Sequence, residues 1–72
     1  MSSAPKDVAI AGDTIRLGQL LKLASLADSG GEARELVVEG AVSVNGEVET
    51  RRGRQLRRGD VVEAGAQAVR IV

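Results

Sequence analysis

The strongest candidate for chemistry in this sequence is a run of arginines between residues 51 and 58. The formal net charge of the chain is zero, yet residues 1–50 carry four basic and eight acidic side chains. A guanidinium fork matches phosphate geometry better than a lysine ammonium does. A positive segment on an otherwise acidic body favours a polyanion bound locally, and the alternative is a solvated turn without a ligand. The five arginines, with no acid among them, are Arg51, Arg52, Arg54, Arg57 and Arg58.

Other kinds of site are disfavoured by the residue types that the sequence lacks. Without cysteine or histidine there are no disulfides, no thiolate or imidazole metal ligands and no histidine acid-base pair. The carboxylates are scattered, and Gly30-Gly31 lacks the spaced glycines and following lysine of a nucleotide-binding loop. Phe, Tyr and Trp are absent, so bases cannot be stacked on aromatic rings. We therefore expect no enzyme, cofactor, metal or small-molecule substrate, and any nucleic acid must be bound through phosphates, sugars and shape.

The length of 72 residues allows one domain, close to the lower limit for an unstapled apolar core. Residues 1–6 are small, polar and proline-containing, which predicts a flexible N-terminal arm before a single domain at residues 7–72. The apolar stretches are much shorter than the roughly 20 residues that span a bilayer, and no signal peptide is recognisable. We expect a soluble, cytoplasmic monomer that does not bind membranes.

Apolar spacing predicts the elements that must position the arginines. Alternation at Val8 and Ile10 predicts a first strand that ends at Gly12-Asp13. From Leu17 the spacing becomes helical, with core residues one and two turns apart. The stripe of this first helix is Leu17, Leu20, Leu21 and Ala24.

A second helix is predicted by a capping box, because Ser29 precedes Glu32 by three residues. Its buried face continues through Ala33, and Gly40 suits a left-handed C-terminal cap. The two helices are expected to meet across a tight turn at Asp28-Ser29.

The second half of the chain predicts short strands. Asn45-Gly46 is a hairpin signal, and a three-residue connection would pair Val44 with Val48 and bury the valines together. The arginine run then lies on a connection between strands, with Leu56 as an inward anchor. Gly59-Asp60 turns the chain into Val61 and Val62, and a last strand is predicted from Val69 to Val72 after a flexible segment at residues 65–67.

Taken in order, residues 14–63 resemble the S4-type RNA-binding domain, and residues 49–54 look like its small stand-alone bacterial branch. The resemblance implies an α+β fold, in which two short helices pack on a small, mainly antiparallel sheet, the S4-like alpha-L RNA-binding motif. It rests on the order and spacing of Arg16-Leu17, Ser29, Glu32-Ala33-Arg34-Glu35-Leu36-Val37, Gly40, Val42, Val44-Asn45-Gly46 and Gly59-Asp60-Val61-Val62.

The resemblance also implies RNA contacts, which we transfer one residue at a time. Arg16 and Arg34 match positions where the family usually places RNA-contacting bases, and Lys22 is a further candidate. Gly18 replaces a usual aspartate, and Gly30 replaces an arginine that many members use to contact phosphate. Alternatively, Arg16 pairs with Asp13 and Arg34 pairs with Asp28 or Glu32 at the surface. Since the second helix is also acidic, the arginine run is expected to provide most of the affinity.

The predicted function is that of a non-catalytic module that binds structured RNA, either ribosomal or transfer RNA, through phosphate and shape contacts. The alternative is a protein-interaction module whose arginine-rich loop binds an acidic partner. If all five arginines contact phosphates, affinity should fall by about two orders of magnitude between roughly 50 and 200 mM salt.

Overall fold

The structure, a computed structural model, describes residues 4–72, and the first half of the predicted arm, residues 1–3, lies outside the described residues. No helix in the described part of the chain is both long enough and apolar enough to cross a membrane. The elements in chain order are β1 (Lys6–Val8), β2 (Thr14–Arg16), α1 (Leu17–Leu23), α2 (Gly30–Val38), β3 (Val42–Val44), β4 (Glu47–Val48), β5 (Gln55–Arg57), β6 (Val61–Ala64) and β7 (Gln67–Ile71).

The strands form a five-stranded sheet of order β1-β7-β6-β3-β4 and a separate two-stranded sheet of β2 and β5. Every described strand pair is antiparallel except β1 with β7. The predicted fold class, two short helices on a mainly antiparallel sheet, is confirmed.

One apolar core joins the helices and both sheets. The predicted α1 stripe is confirmed at Leu17, Leu20 and Leu21, which are fully buried, while Ala24 follows the helix and is half-buried. Leu56, the predicted anchor, is also fully buried. Burial of such side chains contributes about 1.5 to 3 kcal/mol each. The remaining buried apolar residues are Ile10, Ala27, Ala33, Val37, Val42, Val44, Val62, Val69 and Ile71.

The boundaries of α2 follow from its capping residues. The amide of Glu32 donates to the Ser29 hydroxyl at 3.1 Å, as the capping box predicts. Within residues 4–72 the Glu32 carboxylate makes no reciprocal hydrogen bond, so half of the box is formed. Gly40 has φ of 77°, which confirms the left-handed cap after the helix.

The connection between the helices is longer than predicted. The expected tight turn at Asp28-Ser29 is wrong, because α1 ends at Leu23 and the chain needs residues 24–29 to reach α2. The amides of Leu26 and Ala27 both donate to the Leu21 carbonyl, at 2.8 and 3.0 Å, which wraps the connection around the end of α1. This path places Ala27 in the core, where it is buried.

Three strand predictions also need correction. The first strand begins at Lys6 and ends at Val8, because it pairs in parallel with β7, whereas Ile10 is buried without belonging to a strand. Lys6 therefore lies in β1, although it was predicted as part of the arm. Strand β7 begins at Gln67, opposite Ala64, so the segment predicted as flexible is largely a turn. The short strand β2 was not predicted, since three residues are too few for alternation to show.

The β3–β4 hairpin differs from the prediction in register. The three-residue connection is wrong, because Val44 pairs with Glu47 across a two-residue turn and Val48 is 62% exposed. Asn45 and Gly46 both have positive φ, 51° and 88°, and this turn conformation matches the natural twist of the flanking strands.

The observed register has a consequence two residues further on. The Glu49 amide donates to the Val42 carbonyl at 3.0 Å, and the Glu49 residue is 6% exposed. Because side chains alternate along a strand, the shorter turn places Glu49 on the buried side, where the longer one would have placed Val48.

Candidate nucleic-acid interface

Three basic residues from three separate segments line one groove beside α1. Arg16 lies at the end of β2, Lys22 lies in the last turn of α1, and Arg52 lies between β4 and β5. The groove encloses about 260 Å³ and has no acidic residue in its lining. It can therefore accept an anion without displacing an internal carboxylate. Its complete lining is Arg16, Gly18, Gln19, Lys22, Gly30, Ala33, Arg52 and Gly53.

The segment of residues 49–54, here called the arginine loop, is held against the first turn of α1. The amides of Leu17 and Gly18 donate to the carbonyls of Arg54 and Arg52, each at 2.9 Å. Arg16, the residue before the helix, makes no side-chain cap, so these loop carbonyls satisfy two of the amides that a helix start leaves free. The pairing of Arg16 with Gln55 in the β2–β5 sheet fixes the same approach.

Glycines make room for the groove. A Cβ on Gly18 would lie 3.6 Å from the Cβ and the carbonyl oxygen of Arg52, which is ordinary contact, and a Cβ on Gly30 would meet no atom within 4 Å. The two positions where the S4 resemblance led us to expect an aspartate and an arginine thus belong to this groove. Here they contribute neither charge.

Glu49 binds two of the arginines that were predicted to face a ligand. Its carboxylate accepts from the amide and Nε of Arg51, at 3.0 and 3.2 Å, and from Nη1 of Arg54 at 3.1 Å. The hydrogen bonds from the Arg51 side chain and amide outweigh the opposing effect of burial and lower the pKa of Glu49 from 4.5 to about 2. The carboxylate therefore stays ionised throughout the physiological pH range.

The other end of the arginine run has its own partners. Nη2 of Arg58 donates to the Ile10 carbonyl at 3.2 Å, and Nη1 lies 3.7 Å from Asp13 Oδ1, which ties the β1–β2 connection to the body of the domain. Arg57 belongs to β5, and its amide donates to Asp60 Oδ2 at 2.8 Å. Burial alone would raise the pKa of Asp60, but hydrogen bonds from this amide and from the Asn45 side chain lower it.

The arginine run is consequently not one uniform basic loop. Arg51, Arg54 and Arg58 are in ion pairs, and Arg57 lies in a strand rather than on a connection. The run contains no acid of its own, but three of its arginines pair with Glu49, which lies just before it, and with Asp13, which is distant in sequence. Within residues 4–72, Arg52 and Arg57 are the members of the run whose side chains form no ion pair.

Arg34 lies apart from the groove. It lines a separate depression of about 330 Å³ beside α2, together with Glu35, Val38 and Glu39. The surface pairs considered for the helix-associated arginines do not form among the described residues, since Asp13 pairs with Arg58 instead of Arg16. Arg34 is thus placed in a more acidic setting than Arg16 or Arg52.

Sequence reasoning missed two residues of this region. Gln19 lines the groove and adds an amide that can both donate and accept hydrogen bonds. Glu49 was treated as one of several scattered carboxylates, although a two-residue turn at Asn45-Gly46 would have indicated its buried side by strand parity. In the described part of the chain no group of acidic residues is arranged to bind a metal ion.

Two curated bacterial proteins are similar to this chain over most of their length. The probable ribosome maturation protein RlbA of Bacillus subtilis (strain 168) is 50% identical over 56 residues, which cover 78% of this chain and 79% of the relative. The putative RNA-binding protein YbcJ of Escherichia coli (strain K12) is 36% identical over 58 residues, which cover 81% of this chain and 83% of the relative.

The fold is also similar to that of a larger solved protein, and a family profile matches the sequence directly. The 30S ribosomal protein S4e from Thermoplasma acidophilum superposes with a TM-score of 0.66 at 23% identity, over 86% of this chain and 33% of that one. The profile of the S4 domain matches residues 8–72. With nearly the whole chain matched, the protein belongs to the S4 domain family.

Proposed function

We propose that this protein is a non-catalytic module that binds structured RNA, ribosomal or transfer RNA, and that the groove beside α1 is the centre of its binding site. The observation that carries the proposal is the convergence of Arg16, Lys22 and Arg52 on a groove with no acidic lining. Phosphates are bound by such clusters through charge-assisted hydrogen bonds, which are about twice as strong as neutral ones.

The absence of aromatic residues shapes the mode of binding. Single strands are commonly bound by stacking bases on aromatic rings, and this chain has none. Structured RNA presents phosphates and 2′-hydroxyls in a fixed arrangement, which a preformed basic groove can match without stacking. A folded RNA is therefore a better ligand for this surface than a flexible strand.

The relatives support the same class of ligand. One is named a probable ribosome maturation protein and the other a putative RNA-binding protein, and both are matched over more than three quarters of their length. The first name favours ribosomal over transfer RNA as the ligand of this protein.

The experiment that identifies the ligand is crosslinking of the protein to RNA in cells, followed by sequencing of the RNA and mapping of the crosslinked peptides. We expect peptides that contain Arg16, Lys22 or Arg52. Crosslinks confined to the depression around Arg34 would contradict the proposed site. A complex that survives nuclease digestion would instead favour the acidic protein partner.

The groove is tested with two variants that remove equal charge. Arg16→Gln combined with Arg52→Gln should weaken binding of the identified RNA by roughly tenfold for each lost contact. The matched control combines Lys6→Gln with Arg70→Gln, which removes two exposed cations from the paired strands β1 and β7. We expect this control to weaken binding less than about threefold, because it affects only the general field. Equal losses in the two variants would show that binding depends on total charge and would refute the groove as the site.

A further inference from the structure

The Glu49 carboxylate is a buried anion in the middle of the basic region. Its side chain is 8% exposed, whereas the Arg51 and Arg54 side chains that bind it are 77% and 35% exposed. It accepts a backbone donor and side-chain donors from both arginines at 3.0 to 3.4 Å. For a polyanionic ligand this carboxylate is unfavourable, because it cancels positive charge beside the groove. Any benefit to binding must therefore come from geometry.

We propose that Glu49 is a positioning residue for RNA binding, which fixes the arginine loop in the conformation that holds Arg52 in the groove. The inference rests on the proposed function of the groove. Glu49 does not line the groove itself, so it acts through the loop and not by touching RNA.

The mechanical connection runs along the backbone. Glu49 fixes both ends of the segment that contains Arg52, through the amide of Arg51 on one side and the guanidinium of Arg54 on the other. The Arg54 amide also donates to the Arg51 carbonyl at 3.2 Å, which closes the turn around Arg52. A loop with both ends fixed presents the Arg52 carbonyl to Gly18 and keeps Arg52 in the lining of the groove.

Such preorganisation raises affinity because the loop is ordered before the ligand arrives. Each side chain that must be immobilised on binding costs conformational entropy and so lowers the affinity. The arginine loop contains Arg51, Arg52 and Arg54, so ordering it in advance removes a substantial part of this cost. The effect should be large for a structured ligand, whose phosphates demand one arrangement, and small for a flexible polyanion that adapts to the loop.

The test compares Glu49→Gln with Glu47→Gln. Both variants remove one negative charge from the same hairpin, but Glu47 is exposed and makes no ion pair or side-chain hydrogen bond among residues 4–72. Binding is measured to two ligands, the structured RNA that crosslinking identifies and heparin, which serves as a flexible polyanion. We expect Glu49→Gln to bind the RNA about fivefold more weakly than Glu47→Gln and to bind heparin equally or more tightly. If Glu49→Gln binds the RNA as tightly as its control or more tightly, Glu49 only neutralises charge and the inference is overturned.

A measurement without RNA separates this inference from the proposed function. The amides of Leu17 and Gly18 donate hydrogen bonds to carbonyls of the arginine loop. Hydrogen exchange of these two amides should be at least about tenfold faster in Glu49→Gln than in Glu47→Gln. Unchanged exchange at these amides would overturn the positioning role even if RNA affinity fell. If the wild-type protein fails to bind structured RNA, the proposed function is refuted, and the exchange rates still decide whether Glu49 holds the loop.

If Glu49→Gln does not fold, a second variant tests the positioning role of Glu49. Arg51→Lys combined with Arg54→Lys preserves every positive charge but replaces the two guanidinium forks that Glu49 engages. Weakening of RNA binding by about threefold or more, with heparin binding unchanged, is expected from positioning. Unchanged RNA affinity would show that charge alone matters and would overturn the inference.

Discussion

At the scale of single residues, the exposed arginines of this protein differ in how much of their charge is available. Arg52 lines a groove without acidic residues and forms no ion pair among residues 4–72, whereas Arg51 and Arg54 share the Glu49 carboxylate. Arg58 is engaged by Asp13 and a backbone carbonyl. Arginines that lie within eight positions of one another in sequence therefore have different roles, because their neighbours in space differ.

The lowered pKa of Glu49 predicts how the stability of the protein depends on pH. Its pKa is about 2 in the folded protein and 4.5 when unperturbed, so the unfolded chain binds a proton first as the pH falls. The stabilisation is complete above about pH 5 and is lost progressively as the pH falls towards 2. Urea unfolding measured across this range should show a steeper loss for wild type than for Glu49→Gln. Glu47→Gln should retain the wild-type profile, and identical profiles for all three proteins would contradict the assignment.

The open space around Gly30 predicts that an arginine at this position increases the affinity for RNA. A Cβ there meets no atom within 4 Å, and the residue lines the groove at the first position of α2. Gly30→Arg should therefore fold normally and strengthen RNA binding by roughly threefold to tenfold through one added phosphate contact. The control is Gly31→Arg, which adds the same charge at a neighbouring residue that lines the depression with Arg34 instead. Titration of both variants with the identified RNA should show the larger gain for Gly30→Arg, and equal gains would count against the groove.

At the scale of elements, two turns are locked to each other by side chains. Asn45, in the β3–β4 turn, donates from Nδ2 to Asp60 Oδ1 at 3.0 Å and accepts from the Val61 amide at 2.9 Å. Asp60 in turn accepts from the Arg57 amide at the end of β5. The hairpin register that places Glu49 inward is thus supported by the turn that leads into β6.

Removal of this lock should destabilise the domain. Asn45→Ala loses both side-chain hydrogen bonds and places alanine at a φ of 51°, which L-residues rarely adopt, so we expect a loss of about 2 kcal/mol in the free energy of unfolding. Asn45→Gly loses the same bonds but tolerates the left-handed backbone, and should recover about half of the loss. Chemical denaturation measures both values. An alanine variant as stable as wild type would show that the lock contributes nothing.

At the scale of the whole molecule, zero net charge conceals two differently charged regions. The groove and arginine loop are basic, while the depression beside α2 is lined by Glu35 and Glu39 together with Arg34. Because the summed field outside the basic region is not attractive, binding should depend on a few local contacts more than on long-range attraction. The internal ion pairs reduce the number of these contacts below the five that the arginine run suggests.

The salt dependence of binding measures the number of phosphate contacts. Three phosphate contacts, from Arg16, Lys22 and Arg52, predict that affinity falls by roughly 20- to 40-fold between about 50 and 200 mM salt. Five contacts from the arginine run would predict a loss of about two orders of magnitude. Equilibrium titrations over this range distinguish the two values. A flat response would contradict phosphate binding by either set of residues.

Much of the fold was predictable because its signals are local. The leucine stripe of α1, the Ser29 cap of α2, the left-handed Gly40 and the Asn45-Gly46 turn each depend on residues within about one helical turn or one hairpin. Such short-range preferences depend directly on residue type and spacing. Their order and spacing carried the resemblance to the S4 family, and that resemblance implied the fold class.

The binding region was less predictable because its contacts join distant parts of the chain. Arg16 meets the arginine loop through the pairing of β2 with β5, and a three-residue strand carries almost no periodic signal. Whether Glu49 faced solvent or the arginines depended on one residue in the length of a turn. The sequence by itself determined the two helices, the existence of the Asn45-Gly46 hairpin and the local run of arginines. Only the tertiary structure decided which cations remain available to a ligand, because ion pairing depends on distance in space and not on order along the chain.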